Sequence, residues 1–248
     1  MSFRHRVPLT VLLALAAACT GRDRPSPATS PTGGSSVAQE QLAGLARTAA
    51  AASYDATYDF EARTAGDKGV IRIVTLPPSR YRVDIVSGGR TAQIYSTEDG
   101  VVSCALKAGT QTTCVRVAGK GDPVPEVFDP GVQHLFTTGP AALASNPQGY
   151  DVRSLPDAPA AGDLPGGKCF HVERIADLQP VSPGTVTPEG EGFETGDYCF
   201  DEASGVLVSA TVTSGALTLS KLGPAPTAAA FTPPATPVLP SGSASPTP

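Results

Sequence analysis

The chain has 248 residues, with 18 Lys plus Arg against 23 Asp plus Glu and a formal net charge of -5. A mildly acidic balance without a basic cluster makes the chain a poor candidate for binding nucleic acid or anionic lipid surfaces. The 25 prolines and 26 glycines are unevenly spread, which predicts a folded middle between unfolded ends and not disorder throughout.

The chain begins MSFRHRVPLTVLLALAAAC: Arg4 and Arg6, an uncharged run from Val7 to Ala18, and small residues at Ala16, Ala17 and Ala18. This is the three-part layout of an export signal. As a helix the run would cover only about 18 Å, whereas a bilayer core needs roughly 20 residues, so the segment reads as a removable signal and not a permanent span. Small residues directly before Cys19 resemble the lipobox of bacterial lipoproteins, although Leu15 sits one place further from the cysteine than usual. That resemblance implies a signal peptide over 1–18 and an acylated Cys19 at the new N-terminus. The chain would then be anchored by its lipid (palmitate or a similar acyl group) to the outer face of the cell membrane. Residues 19–36 are rich in Pro, Ser, Thr and Gly. They read as a flexible, lipid-anchored tether.

Five cysteines are present: Cys19, Cys104, Cys114, Cys169 and Cys199. Spending Cys19 on lipid leaves an even number for disulfides in an oxidising compartment. Of the three possible pairings, folding VVSCALKAGTQTTCVRV about Gly109 sets Cys104 opposite Cys114, leaving Cys169 with Cys199. Zinc is the competing use, but there is no CxxC spacing.

Ser36 followed three residues later by Gln39 matches a capping box, and Leu42, Leu45 and Ala49 recur at helical spacing, predicting a helix from about Val37 to Ala52. The period then changes to two. In YDATYDFEA, Tyr54, Ala56, Tyr58 and Phe60 alternate with Asp55, Thr57, Asp59 and Glu61, as in an antiparallel strand with one dry face. GVIRIVTL, stopped by Pro77 and Pro78, then RYRVDIVS, GRTAQIYSTEDG with a turn at Asp99-Gly100, and the cysteine hairpin complete a six-strand meander. From Pro123 to Asn146 the text is broken by prolines and predicts short helices. Strands resume at Gly149–Arg153 and Lys168–Ile175, and GDYCFDEAS, GVLVSATV and ALTLSKL supply three more, with turns near Ser204-Gly205 and Ser214-Gly215. Residues 223–248 form a Pro/Ala-rich tail in which Phe231 can dock an extended piece, with disorder expected beyond about 237.

The predicted fold class is therefore α+β: a long curved antiparallel sheet, a half-barrel of about 10–11 strands, with an N-terminal helix and helical segments covering its concave face. The order of an amphipathic helix, then YDATYDFEA, then GVIRIVTLPPSRYRVDI with its proline break and Tyr81-Arg82, then TAQIYSTEDG, resembles the LolA-type lipoprotein carriers and the related LppX and LprG lipoproteins of actinobacteria. The likeness covers about 37–231 and places a half-barrel domain at 37–222. It implies a concave apolar face that accepts acyl chains of lipids, glycolipids or lipidated molecules. This chain departs from that pattern in having no tryptophan, two expected disulfides and a permanent anchor. The inward-facing candidates for a cavity lining are Tyr58, Phe60, Ile71, Ile73, Tyr81, Val83 and Ile85; filling a solid core is the alternative.

Enzyme signatures are weak. GDLPGGKC, 162–169, nearly matches the phosphate-binding loop pattern, but Cys169 replaces the metal-binding hydroxyl and CFHVERI reads as a strand where a helix is required. Glu189, Glu191, Glu194, Asp197, Asp201 and Glu202 cluster without EF-hand spacing. His134 and His171 have no GxSxG or HExxH context. No enzyme, cofactor or metal is expected, and the sequence names no protein partner. The reading is an envelope lipoprotein that binds or transfers a lipid, with a solid-core protein-interaction or sensor module as the alternative.

Overall fold

The computed structural model describes residues 36–63, 68–107, 109, 111–125, 149–175 and 193–239, all within one unit spanning 35–248. The expected signal peptide, most of the tether including Cys19, most of the stretch 123–146 expected to form short helices, His134, and Glu189 and Glu191 of the acidic cluster lie outside the described residues.

Helix α1 is Val37–Ala51. Its start is set by the capping box: Ser36 Oγ accepts from the Gln39 backbone N–H at 3.2 Å, and Gln39 Oε1 accepts from the Ser36 N–H at 2.7 Å. Leu42, Ala43, Leu45 and Ala46 form its buried face. Eleven strands follow: β1 Tyr54–Ala62, β2 Lys68–Leu76, β3 Arg80–Ser87, β4 Arg90–Thr97, β5 Gly100–Lys107, β6 Thr113–Gly119, β7 Tyr150–Ala158, β8 Gly167–Arg174, β9 Gly196–Phe200, β10 Leu207–Val212 and β11 Gly215–Gly223. A 3-10 turn, Ala228–Phe231, lies in the tail.

The eleven strands of the described residues form one antiparallel sheet in the order β6-β5-β4-β3-β2-β1-β11-β10-β9-β8-β7. Two meanders are joined where the first and last strands pair, with Tyr58 opposite Leu219 and Phe60 opposite Leu217. The edges, β6 and β7, are neighbours in sequence. A flat sheet of this width would span roughly 48 Å. Instead one apolar cluster draws residues from α1 and every strand, so the sheet curls about its inner face. Register shifts at Thr57/Tyr58, Val101/Val102, Leu155/Ala158 and Leu207/Ser209 add the local bend and twist that curling requires.

The β4–β5 turn lies one residue earlier than the Asp99-Gly100 expectation: Thr97 pairs with Gly100, leaving Glu98 and Asp99 as the loop. Gly100 keeps its role for a different reason. It sits at φ 121°, and a Cβ there would lie 2.2 Å from the Ala118 carbonyl oxygen. The disulfides are Cys104–Cys114 and Cys169–Cys199, each joining residues directly opposite in adjacent strands, with Cα separations of 4.1 and 4.0 Å. Such disulfides belong to an oxidising, extracytoplasmic compartment. Among the described residues no helix is long and apolar enough to cross a membrane.

Candidate functional site

Period-two alternation divides the sheet into an inner and an outer face, and each is a candidate binding surface. The inner face is built from cross-strand rows. Tyr58, Ile71 and Ile85 align across β1–β3, and Ala56, Ile73, Val83 and Ile94 across β1–β4. All seven residues singled out as cavity candidates share this face. Tyr58, Ile71, Ile73 and Val83 are buried, while Phe60, Tyr81 and Ile85 pack at the margin and are partly exposed.

On the second meander, Leu217, Ala210, Tyr198 and Phe170 continue the inner face. Phe193 stands on this row at its centre: its ring lies edge-on to Tyr198 at 4.8 Å and to Phe200 at 6.2 Å. α1 closes this half, with Gln39 Nε2 donating to the Tyr150 carbonyl at 2.5 Å and Ser36 Oγ to that of Val152 at 3.4 Å. Gly205, at φ 69°, brings the β9–β10 turn so close to α1 that a Cβ would lie 2.5 Å from the Leu45 carbonyl oxygen. Burial sets the electrostatics. Desolvation pushes the Tyr54 phenol from 10.0 to about 12 and raises Tyr58 and Tyr198 well above the usual range. The inner face therefore favours neutral groups.

The outer face is less polar than alternation implies. Arg72 Nε and Nη2 donate to Asp55 at 2.7 and 2.5 Å, Arg72 also lies 3.7 Å from Asp84, and Arg82 Nε donates to Asp84 at 2.7 Å. The Asp55 hydrogen bond is the main reason the Arg72 pKa is raised further. Arg82 stacks 5.1 Å over the Tyr95 ring, and Tyr95 Oη donates to Gln93 Oε1 at 2.9 Å. Beside this ladder lies a second apolar cluster of Tyr95, Val102, Cys104 and Cys114. The tail covers it. Phe231 is 4% exposed, its turn lies against β3 and β4, and Ala235 packs on the cluster.

Elsewhere on this face, Thr218, Asp59, Val70 and Val86 share one row. With Glu61 and Lys68 they line a groove of about 600 Å³. Val70 and Val86 are exposed there, and Lys68 pairs with Glu61 at 3.4 Å.

Among the described residues the remaining candidates disperse. Gly162–Cys169 runs into strand β8 and not a helix, and Cys169 is spent in a disulfide. His171 faces outward and meets Asp197 at 2.6 Å. Of the acidic cluster, Glu194 takes a hydrogen bond from Ser214 Oγ at 3.0 Å, Asp197 holds His171, and Asp201 accepts from Ser204 in a turn. The outer ladder and the tail contacts had no motif that could announce them; the only sequence cue was Phe231, a lone large apolar residue in a proline-rich segment.

No family model matches this sequence, and no curated protein matches it. Among solved structures, the crystal structure of MucB aligns with a TM-score of 0.48 and 15% identity, covering 79% of this chain and 62% of that one. The complex structure of Pseudomonas aeruginosa MucA/MucB aligns with a TM-score of 0.47 and 14% identity over 80% and 61%. The chain spans less than two thirds of the length of these proteins.

Proposed function

We propose that the chain is a non-enzymatic binding module of the cell envelope, tethered through an acylated Cys19, that presents a solid half-barrel to a polypeptide partner. One observation carries this reading: Tyr58, Ile73 and Val83, at the middle of the inner face, each have 0% exposure. A side chain that borders a void large enough for water keeps accessible surface. Complete burial together with the Tyr150, Phe193, Tyr198 and Phe200 ring cluster supports a close-packed interior. A closed interior leaves the outer face and the loops for recognition.

A second reading keeps the lipid. The inner rows Tyr58–Ile71–Ile85 and Ala56–Ile73–Val83–Ile94 are apolar, and Phe60, Tyr81 and Ile85 stay partly exposed at the margin, which favours entry of an acyl chain from there. The two readings separate in a titration of the intact protein with a fluorescent fatty-acid analogue. The solid module gives no saturable signal. Saturable micromolar binding that is lost in Ile73→Lys, with the variant still folded, supports the lipid binder instead.

A further inference from the structure

The segment 224–239, PAPTAAAFTPPATPVL, carries no charged residue and five prolines. It leaves β11 at Gly223, at the middle of the sheet, and reaches the edge strand β6, crossing the outer face transverse to the strands. Three features hold it. Arg82 Nη1 donates to the Ala230 carbonyl at 3.2 Å. The Phe231 ring is buried against the sheet. At the edge, the Val238 N–H donates to the Cys114 carbonyl at 3.0 Å and the Arg116 N–H donates to the Val238 carbonyl at 2.9 Å, a parallel bridge opposite Val115.

This mode of attachment is that of a ligand and not of a strand. Prolines have no N–H to donate, so the segment uses one paired residue, one aromatic anchor and one small residue, Ala235, packed against the cluster of Tyr95, Val102, Cys104 and Cys114. The receptor surface has matching parts: a row of edge N–H and C=O groups on β6, an apolar shelf of Tyr95, Val102 and the disulfide, and the Arg82 guanidinium held in place by Asp84. Strand addition at a sheet edge and docking of proline-rich segments on aromatic shelves are the two recurrent ways of binding extended peptides. With the tail removed, an open edge and a contiguous apolar patch would face solvent, both of which attract other chains.

We propose that the outer shelf of β3–β6 is a docking surface for an extended, uncharged, proline-punctuated polypeptide segment with an aromatic anchor, and that residues 224–239 occupy it in cis as a displaceable strap. This deepens the interaction-module reading and names the surface and the chemistry of its partner. The covalent link gives the strap a high effective concentration. An outside segment therefore gains access only when it binds better or when the strap is released.

The test uses the intact chain with a protease site inserted between Gly223 and Thr227. A fluorescein-labelled synthetic peptide of residues 224–239 is added before and after cleavage, and binding is read by anisotropy with circular dichroism as the control for folding. The proposal expects at least tenfold tighter peptide binding after cleavage, and at least tenfold weakening when the peptide carries Phe231→Ala. Absence of exchange into the folded, cleaved protein overturns it, as does unfolding on cleavage, because either result makes the tail an integral part of the core. A lipid bound to the inner face with peptide exchange intact would refute the solid-interior reading and leave the docking surface standing. No lipid and no exchange would do the reverse.

Discussion

Gly100 and Gly109 show how differently two hairpin glycines are constrained. Both have positive φ, 121° and 75°, but a Cβ on Gly100 would meet the Ala118 carbonyl whereas nothing lies within 4 Å of one on Gly109. Gly100→Ala should lower stability by roughly 3 kcal/mol, combining backbone strain with displacement of β6. Gly109→Ala should cost about 1 kcal/mol. Urea unfolding of the two variants checks the difference. The buried tyrosines set a pH limit. The folded-state pKa of Tyr54 is raised, so its contribution is present below the unfolded value of 10.0 and is lost as pH rises through about 12. The interval corresponds to roughly 3 kcal/mol from this group, with Tyr58 and Tyr198 acting in the same direction. In an alkaline titration, tyrosinate absorbance should therefore rise together with loss of the far-ultraviolet β signal. Ionisation of the buried Tyr54, Tyr58 and Tyr198 near pH 10 in a chain that keeps its far-ultraviolet signal would contradict this. Arg82 has three partners at once, the Asp84 carboxylate, the Tyr95 ring and the Ala230 carbonyl. Arg82→Ala should cost about 1–3 kcal/mol and speed hydrogen exchange at the Val238 amide, the far end of the strap.

At the scale of elements, the two disulfides are alike in geometry but not in the chain they close. Cys104–Cys114 spans 10 residues and Cys169–Cys199 spans 30. Loop-closure entropy gives about 2.7 and about 3.6 kcal/mol respectively, so the paired Cys→Ala variant at 169 and 199 should be the less stable in a denaturant titration. The shorter bridge belongs to the outer cluster against which Ala235 of the strap packs. It should react with a phosphine reductant more slowly than its partner, and faster once the strap is cut. The elements that sequence made legible are those whose signal is local. The capping box fixed α1, strict alternation in YDATYDFEA gave β1, and the Gly109 hairpin gave a disulfide partner. The tail was less legible because its binding depends on a receptor surface assembled from β3 to β6. Likewise Asp55 reads as part of a wet face. It is half-buried in a ladder with Arg72, Asp84 and Arg82, whose cross-strand pairing alternation cannot express.

For the whole molecule, the sequence supported a long curved sheet but not its order. Pairing of β1 with β11 joins residues about 160 apart, a contact that turn chemistry and periodicity do not encode. It places the chain's two meanders side by side and leaves β6 and β7 as edges. The inner-face candidates were legible as a face, since period two assigns all seven to one side. Whether a face encloses space or is filled depends on what opposes it, including Phe193, which no periodic pattern ties to the sheet. That distinction is the central claim. Native mass spectrometry of the intact exported protein, gently purified from its envelope, tests it most directly. The solid half-barrel predicts no non-covalently bound acyl species, only the mass of a polypeptide with two disulfides in its folded domain. A stoichiometric, non-covalently bound acyl species would contradict it.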